Sequence, residues 1–160
     1  MSDEIIIYTD GAARGNPGPG GYGVLLMNGN RRKELSNGFR YTTNNRMELM
    51  AVIEGLKALK KENLKISIYT DSKYIVNAVE LGWLKNWMAT QFKGGKKNRD
   101  LWMEYHQLSL NHKIKFNWVK GHADNPFNNR CDELATEAAD GKNLGIDNVY
   151  EQENNTAYKQ

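Results

Sequence analysis

Two short apolar stretches of the chain repeat one pattern. Ile5-Ile6-Ile7-Tyr8-Thr9-Asp10-Gly11 and Ile66-Ser67-Ile68-Tyr69-Thr70-Asp71-Ser72 each run through β-branched residues into Tyr-Thr-Asp and then a small residue. Such residues favour strands, so both stretches predict a strand that enters a core and ends on a carboxylate. A helical pattern over 43–61 lies between them, which predicts a β-α-β arrangement with the two strands parallel in one sheet. Parallel sheets present ligands at the carboxyl ends of their strands, where Asp10 and Asp71 both fall. Neighbouring strands lie about 4.8 Å apart. Two ionised carboxylates that close repel unless one is protonated or a cation sits between them, so the pattern points to a metal site.

The intervening helix sharpens the case. Thr42-Thr43-Asn44-Asn45 supplies N-cap residues, and Leu49, Ala51, Val52, Ile53, Gly55, Leu56 and Leu59 make one apolar arc with Lys57, Lys61 and Glu54 opposite. Glu48 falls near the middle of that arc. A carboxylate there must be neutralised, paired or metal-bound. Arg46 is a poor partner for it, because residues two apart do not share a helix face.

Elsewhere the pattern predicts strands at 24–27 and 34–39 joined through Asn28-Gly29-Asn30. Together with the first strand they form an antiparallel meander. Residues 11–23, rich in Gly and Pro, predict a tight loop. Ser72 can cap a second helix that turns Tyr74, Ile75, Ala78 and Val79 inward and breaks at Gly82. A helix over 100–111, a strand over 114–118 and a last helix over 128–139 complete the pattern. Asp132 then falls in the first turn of the last helix, where a capping role competes with a metal role. Residues 1–140 form the expected catalytic domain. Residues 141–160 are polar and aperiodic and predict a flexible tail.

Composition narrows the class. A 160-residue chain with 39% hydrophobic and 26% charged residues is one globular domain. One cysteine, Cys131, precludes an internal disulfide, and the start Met1-Ser2-Asp3-Glu4 is unlike a basic signal peptide. The expectation is a cytoplasmic protein without a membrane span. The net charge of +3 is unevenly spread. Between Leu81 and Arg99 lie Lys85, Lys93, Lys96, Lys97 and Arg99 with no acid, interleaved with Trp83, Trp87 and Phe92. That mixture suits a polyanion with flat bases or sugars, or equally a solvated helix face over core tryptophans.

The chemical inventory is Asp10, Glu48, Asp71 and Asp132. Hard oxygen donors without His or Cys select Mg²⁺ or Mn²⁺. Four negative charges match two divalent ions of the kind that clamp the attacking and leaving oxygens of a phosphoryl transfer.

The motifs that carry these residues resemble the bacterial type 1 ribonucleases H. They are Tyr-Thr-Asp-Gly at 8–11, Gly-Asn-Pro-Gly-Pro-Gly-Gly-Tyr-Gly at 15–23, Thr-Thr-Asn-Asn-Arg-Met-Glu-Leu at 42–49 and Thr-Asp-Ser at 70–72. Trp-Val-Lys-Gly-His-Ala at 118–123 and Arg-Cys-Asp-Glu-Leu-Ala at 130–135 follow in the same order. The resemblance implies an α/β ribonuclease H-like fold, a five-stranded mixed sheet flanked by helices. It implies a monomer that hydrolyses the RNA strand of RNA–DNA hybrids with two Mg²⁺ ions, Mn²⁺ substituting, and leaves 3′-hydroxyl and 5′-phosphate ends. Asp10, Glu48, Asp71 and Asp132 would be the metal ligands, and His122 a mobile histidine assisting the water or product release.

For the substrate, the resemblance places Asn16, Asn44 and Asn45 in the minor groove, where 2′-hydroxyls are readable. It places Thr43, Asn16 and Asn98 on a DNA phosphate, Trp83 against a deoxyribose, and Lys93, Lys96 and Lys97 in a basic protrusion. The protrusion is shorter and less basic than in well-known members. Lys73 is also placed among the substrate contacts, although it stands where the family pattern has an uncharged polar residue. Two alternatives compete with this reading: a DNA nuclease of the same broad fold, for which the chain has no accessory domain, and a non-catalytic hybrid-binding module, which would be expected to lack a carboxylate.

Overall fold

The computed structural model describes residues 4–121 and 124–154. Five strands form one mixed sheet: β1 (Glu4–Ala13), β2 (Gly18–Asn28), β3 (Arg31–Thr42), β4 (Lys65–Thr70) and β5 (Lys113–Trp118), in the order β3-β2-β1-β4-β5. β1, β2 and β3 are antiparallel neighbours, whereas β4 pairs parallel to both β1 and β5. The β1–β4 register sets Tyr8 opposite Tyr69. Asp10 and Asp71 each lie two residues further on, so the repeated pattern becomes two carboxylates at one sheet edge.

Six helices accompany the sheet: α1 (Asn44–Lys57), α2 (Lys73–Glu80), α3 (Trp83–Ala89), α4 (Arg99–Ser109), α5 (Pro126–Ala139) and α6 (Asn148–Asn154). Side chains alternate across a strand, and the sheet therefore buries two faces. On the larger, Ile5, Ile7, Val24, Ile66 and Ile68 pack with Leu49, Val52, Ile53 and Leu56 of α1 and Trp102 of α4. On the smaller, Tyr8 and Leu25 meet Cys131 of α5, and the Tyr8 and Tyr69 rings stack at 4.7 Å. Apolar burial on both faces is the main force holding the layers. The Trp102 indole N–H donates to the Tyr74 hydroxyl at 2.8 Å, so this large ring is buried without an orphaned donor.

Three expectations from sequence are corrected. Residues 11–23 are not a loop: β1 runs on to Ala13 and β2 starts at Gly18, with Asp10 opposite Gly23 and Ala13 opposite Gly20. The glycines serve packing, because a Cβ at Gly23 would overlap the Cys131 carbonyl of α5. The helix expected over 128–139 is α5 and starts at Pro126, capped by the Asn125 side chain, which accepts from the Phe127 and Asn128 amides. Asp132 is therefore a turn beyond the first, and a capping role for it falls away.

The third correction concerns the tail. As far as Asn154 it is a packed segment. Gly145 exchanges backbone hydrogen bonds with β3, its N–H donating to Gly38 and its carbonyl accepting from Arg40. Glu151, buried, accepts from Arg40 at 2.8 and 2.9 Å. Asp147, also buried, accepts from Arg46 at 2.7 and 2.9 Å and from the Thr42 hydroxyl at 2.8 Å. Asp100 takes the remaining face of the Arg46 guanidinium at 2.7 and 2.9 Å. This cation is only 1% exposed, and two carboxylates offset its burial. Smaller shifts in element ends accompany these: α1 stops at Lys57, short of residue 61, and β3 extends from Arg31 to Thr42.

Candidate active site

The site forms where β1 and β4 end and α1 begins. The Thr43 side chain caps α1 by accepting from the Arg46 amide, so the next turn turns Glu48 toward the sheet. Close approach needs Gly11: a Cβ there would overlap the backbone at Glu48. With that space free, the Gly11 N–H donates to both Asp10 Oδ1 at 2.9 Å and Glu48 Oε1 at 2.6 Å. The Thr70 hydroxyl donates to Glu48 Oε2 at 3.4 Å, a longer contact. Asp71 follows Thr70, and behind it the Trp118 indole N–H donates to the Asp71 carbonyl at 3.1 Å.

Asp10, Glu48 and Asp71 each offer an oxygen, and these three atoms lie within 4.8 Å of one another. Asp10 and Glu48 are buried and Asp71 is half-buried. Burial, with Asp71 nearby, pushes Asp10 from 3.8 up to about 7, and Asp132 adds to this repulsion. Burial and the charge on Asp10 push Glu48 well above the usual carboxylate range. Such a cluster is stable only when protons or a cation supply positive charge. Its donors are all hard oxygens, which fits Mg²⁺ or Mn²⁺. The glutamate predicted inside the α1 arc has no arginine partner among the described residues, and Arg46 is occupied by Asp147 and Asp100.

A cleft of about 400 Å³ opens over the cluster. Besides the three carboxylates its walls include Asn44 and Asn45 of α1, Ser72, Lys73 and Tyr74 at the start of α2, and Asn128, Asn129 and Asp132 of α5. Asp132 thus shares the cleft, although it is not in the tight group of three. Asn128 did not stand out in the sequence. It is buried, lines the cleft and leaves its Oδ1 without a hydrogen-bond partner among the described residues. The signal was its i, i+4 spacing from Asp132, which puts both on one helix face.

A second cleft of about 510 Å³ lies alongside. It gathers Asn16, Thr43, Asn45, Lys96, Lys97 and Asn98, with Tyr150 and Glu153 of α6 opposite. The Asn16 side chain accepts from the Asn44 amide at 3.0 Å, and Asn98 Oδ1 accepts from Arg46 at 3.3 Å. Residues far apart in sequence are thereby brought to one groove. Lys93 is exposed but lines neither cleft, and Trp83 is exposed on α3 while its neighbour Trp87 packs on the core. His122 lies outside the described residues.

A mixed sheet whose parallel strands end in converging carboxylates defines an α/β protein with an acidic site whose oxygens could hold a cation. Comparison with known proteins makes this specific. Residues 2–140 match the RNase H family. A protein named Ribonuclease H from Desulforamulus reducens is 56% identical over 148 residues, covering 90% of this chain and 92% of its own length. Another of that name from Trichodesmium erythraeum is 51% identical over 152 residues, covering 92% and 96%.

Among solved structures, LC9-RNase H1, described as a type 1 RNase H with the type 2 active-site motif, superposes with TM-score 0.78 and 32% identity, covering 89% of this chain and 75% of that one. LC11-RNase H1, solved in complex with an RNA/DNA hybrid, gives TM-score 0.64 and 28% identity, covering 85% and 96%. The chain belongs to the RNase H family. It is a bacterial-type enzyme of that family, a metal-dependent endoribonuclease.

Proposed function

We propose that the protein hydrolyses the RNA strand of RNA–DNA hybrids by two-metal-ion catalysis, with Mg²⁺ as the ordinary ion and Mn²⁺ as a substitute. The observation that carries this is the convergence of Asp10, Glu48 and Asp71 within 4.8 Å at the sheet edge, with Asp132 on the wall of the same cleft. Asp10, Glu48, Asp71 and Asp132 would hold divalent ions, which when bound would activate water as Lewis acids and offset charge on the leaving oxygen. The four carboxylates hold and orient, and the Gly11 amide and Thr70 hydroxyl keep Glu48 pointed into the site. Water is the nucleophile in place of the neighbouring 2′-hydroxyl, which leaves 3′-hydroxyl and 5′-phosphate ends.

Two adjoining clefts suit a substrate with two unlike strands. The RNA strand runs over the acidic cleft, where Asn44 and Asn45 reach the minor groove and its 2′-hydroxyls. The DNA strand lies over the second cleft, with Asn16, Thr43 and Asn98 on one phosphate and Lys96 and Lys97 adding positive charge. Lys93 extends this field and Trp83 lies against a deoxyribose. His122 moves protons or ejects product. The protein works as a monomer in the cytoplasm, a reading supported by its one cysteine being buried and unbridged. No helix among the described residues is long and apolar enough to cross a membrane.

The test is a panel of end-labelled hybrid, duplex DNA, duplex RNA and single-stranded RNA, each with Mg²⁺ and then with chelator. The expected result is cleavage of RNA in the hybrid alone, lost on chelation. Equal cleavage of duplex DNA, or cleavage that survives chelator, would refute the assignment.

A further inference from the structure

The rim of the acidic cleft carries a cation. Lys73 lines the cleft beside Asp10, Glu48 and Asp71, is exposed, and makes no ion pair among the described residues. It is the first residue of α2, two positions after Asp71, and Ser72 fixes that start by accepting from the Ile75 amide. Its ammonium lies 5.0 Å from the centroid of the Trp118 ring. Trp118 is 45% exposed, unusual for so large a ring.

This platform is tied to the catalytic edge. Trp118 pairs with Thr70 across the β4–β5 ladder, the Val119 amide donates to the Thr70 carbonyl, and the indole N–H donates to the Asp71 carbonyl. The ammonium is thus held by an aromatic face that is itself fixed to the strand end carrying Asp71. A cation–π contact at an exposed site is weak and is readily exchanged for a stronger anionic partner. A phosphate is such a partner, since an ammonium binds it as a point charge.

We propose that Lys73, parked on Trp118, is a tethered cation of the active site. In the free protein it opposes divalent-ion binding at the carboxylates, and in the complex it turns to a phosphate of the RNA strand. The second half rests on the hybrid-cleaving reading above, whereas the first concerns the protein and metal alone. The chemistry follows from sign. A fixed positive charge beside the carboxylates lowers the local attraction for a second cation. Once it pairs with a phosphate, its charge is compensated and that opposition is relieved. Metal and substrate then favour each other's binding.

Two variants test it, Lys73→Gln and Lys73→Arg. Mn²⁺ titration calorimetry on the free protein should show Lys73→Gln binding the ion about two- to fivefold more tightly than wild type, with Lys73→Arg near wild type. On a hybrid, Lys73→Gln should raise KM more than it lowers kcat. The dependence of log affinity on log salt should become shallower by about 0.7–0.9, the loss of one phosphate contact. Lys73→Arg should restore both. A merely structural lysine would not strengthen Mn²⁺ binding when removed. Unchanged or weaker Mn²⁺ binding in Lys73→Gln overturns the opposition to metal, and an unchanged salt slope overturns the phosphate contact. A wild-type protein that fails to cleave hybrid refutes the enzymatic reading instead, and the Mn²⁺ titration still decides the first half.

Discussion

Asp10 and Glu48 converge on one backbone hydrogen: the Gly11 N–H donates to Asp10 Oδ1 at 2.9 Å and to Glu48 Oε1 at 2.6 Å. Two buried carboxylates sharing one donor are poorly compensated without a cation. Burial raises Asp10 to about 7, so the folded protein holds its proton more tightly than the unfolded chain does. Ionising Asp10 therefore destabilises the metal-free protein. The penalty is absent below pH about 4, grows as pH rises, and is complete above about 7. Asp10→Asn removes it. In chelator the variant should be more stable than wild type by on the order of 2 kcal/mol at pH 8, and the difference should vanish near pH 4. Urea melts at both pH values check this. A wild type as stable as the variant at pH 8 would show that the cluster carries no such strain.

Asp147→Asn leaves the buried Arg46 guanidinium with Asp100 as its one charged partner among the described residues. Breaking a buried pair costs about 3–5 kcal/mol, and the surviving half of the network places the expectation at the lower end, about 3 kcal/mol. Denaturant melts with wild-type and variant protein measure it. A loss below about 0.5 kcal/mol would mean that the segment to Asn154 is not anchored by this pair.

Removing the charge of Lys93, Lys96 and Lys97 together, each to Gln, should raise KM more than it lowers kcat. Lys96 and Lys97 line the second cleft and Lys93 lies three residues before Lys96 in the chain, so on the proposed function the three should contribute attraction to phosphates and not chemistry. The salt slope should flatten by up to about 2.7 if all three meet phosphates. A slope unchanged in a binding titration would place the cluster away from the substrate.

His122→Ala should lose activity in part. General acid–base assistance contributes about 10²–10⁴-fold when proton transfer limits the rate, and less when another step does. The expected fall in kcat is about ten- to a hundredfold with KM little changed, because on the proposed function the histidine should not anchor the hybrid in the ground state. Steady-state kinetics decide it. Full kcat would remove His122 from the reaction, and inactivity equal to loss of Asp10 would make it a metal ligand.

What the sequence made legible was what repeats at short range. The Tyr-Thr-Asp endings of β1 and β4 and the polar break in the α1 arc at Glu48 together foretold the carboxylate cluster. The misread parts depend on partners far away in the chain. Glycine carries no strand signal of its own, and the reason for Gly23 is Cys131, more than a hundred positions on. The segment after Gly141 has no apolar period because charge pairs anchor it, Asp147 to Arg46 and Glu151 to Arg40. Nothing local to residues 145–154 announces those partners. The cleft position of Asn128 rested on a single i, i+4 spacing from Asp132, with no motif to mark it.

The central claim is that the converging carboxylates are the catalytic centre. Its most direct measurement is the rate of RNA-strand cleavage of a defined hybrid in Mg²⁺ by Asp10→Asn and by Asp71→Asn, each checked for folding by circular dichroism. On the proposed function each carboxylate serves to hold metal, so both variants should fold and lose about 10³-fold or more in kcat. If both cleave within about tenfold of wild type, the cluster of Asp10, Glu48 and Asp71 is not the catalytic centre.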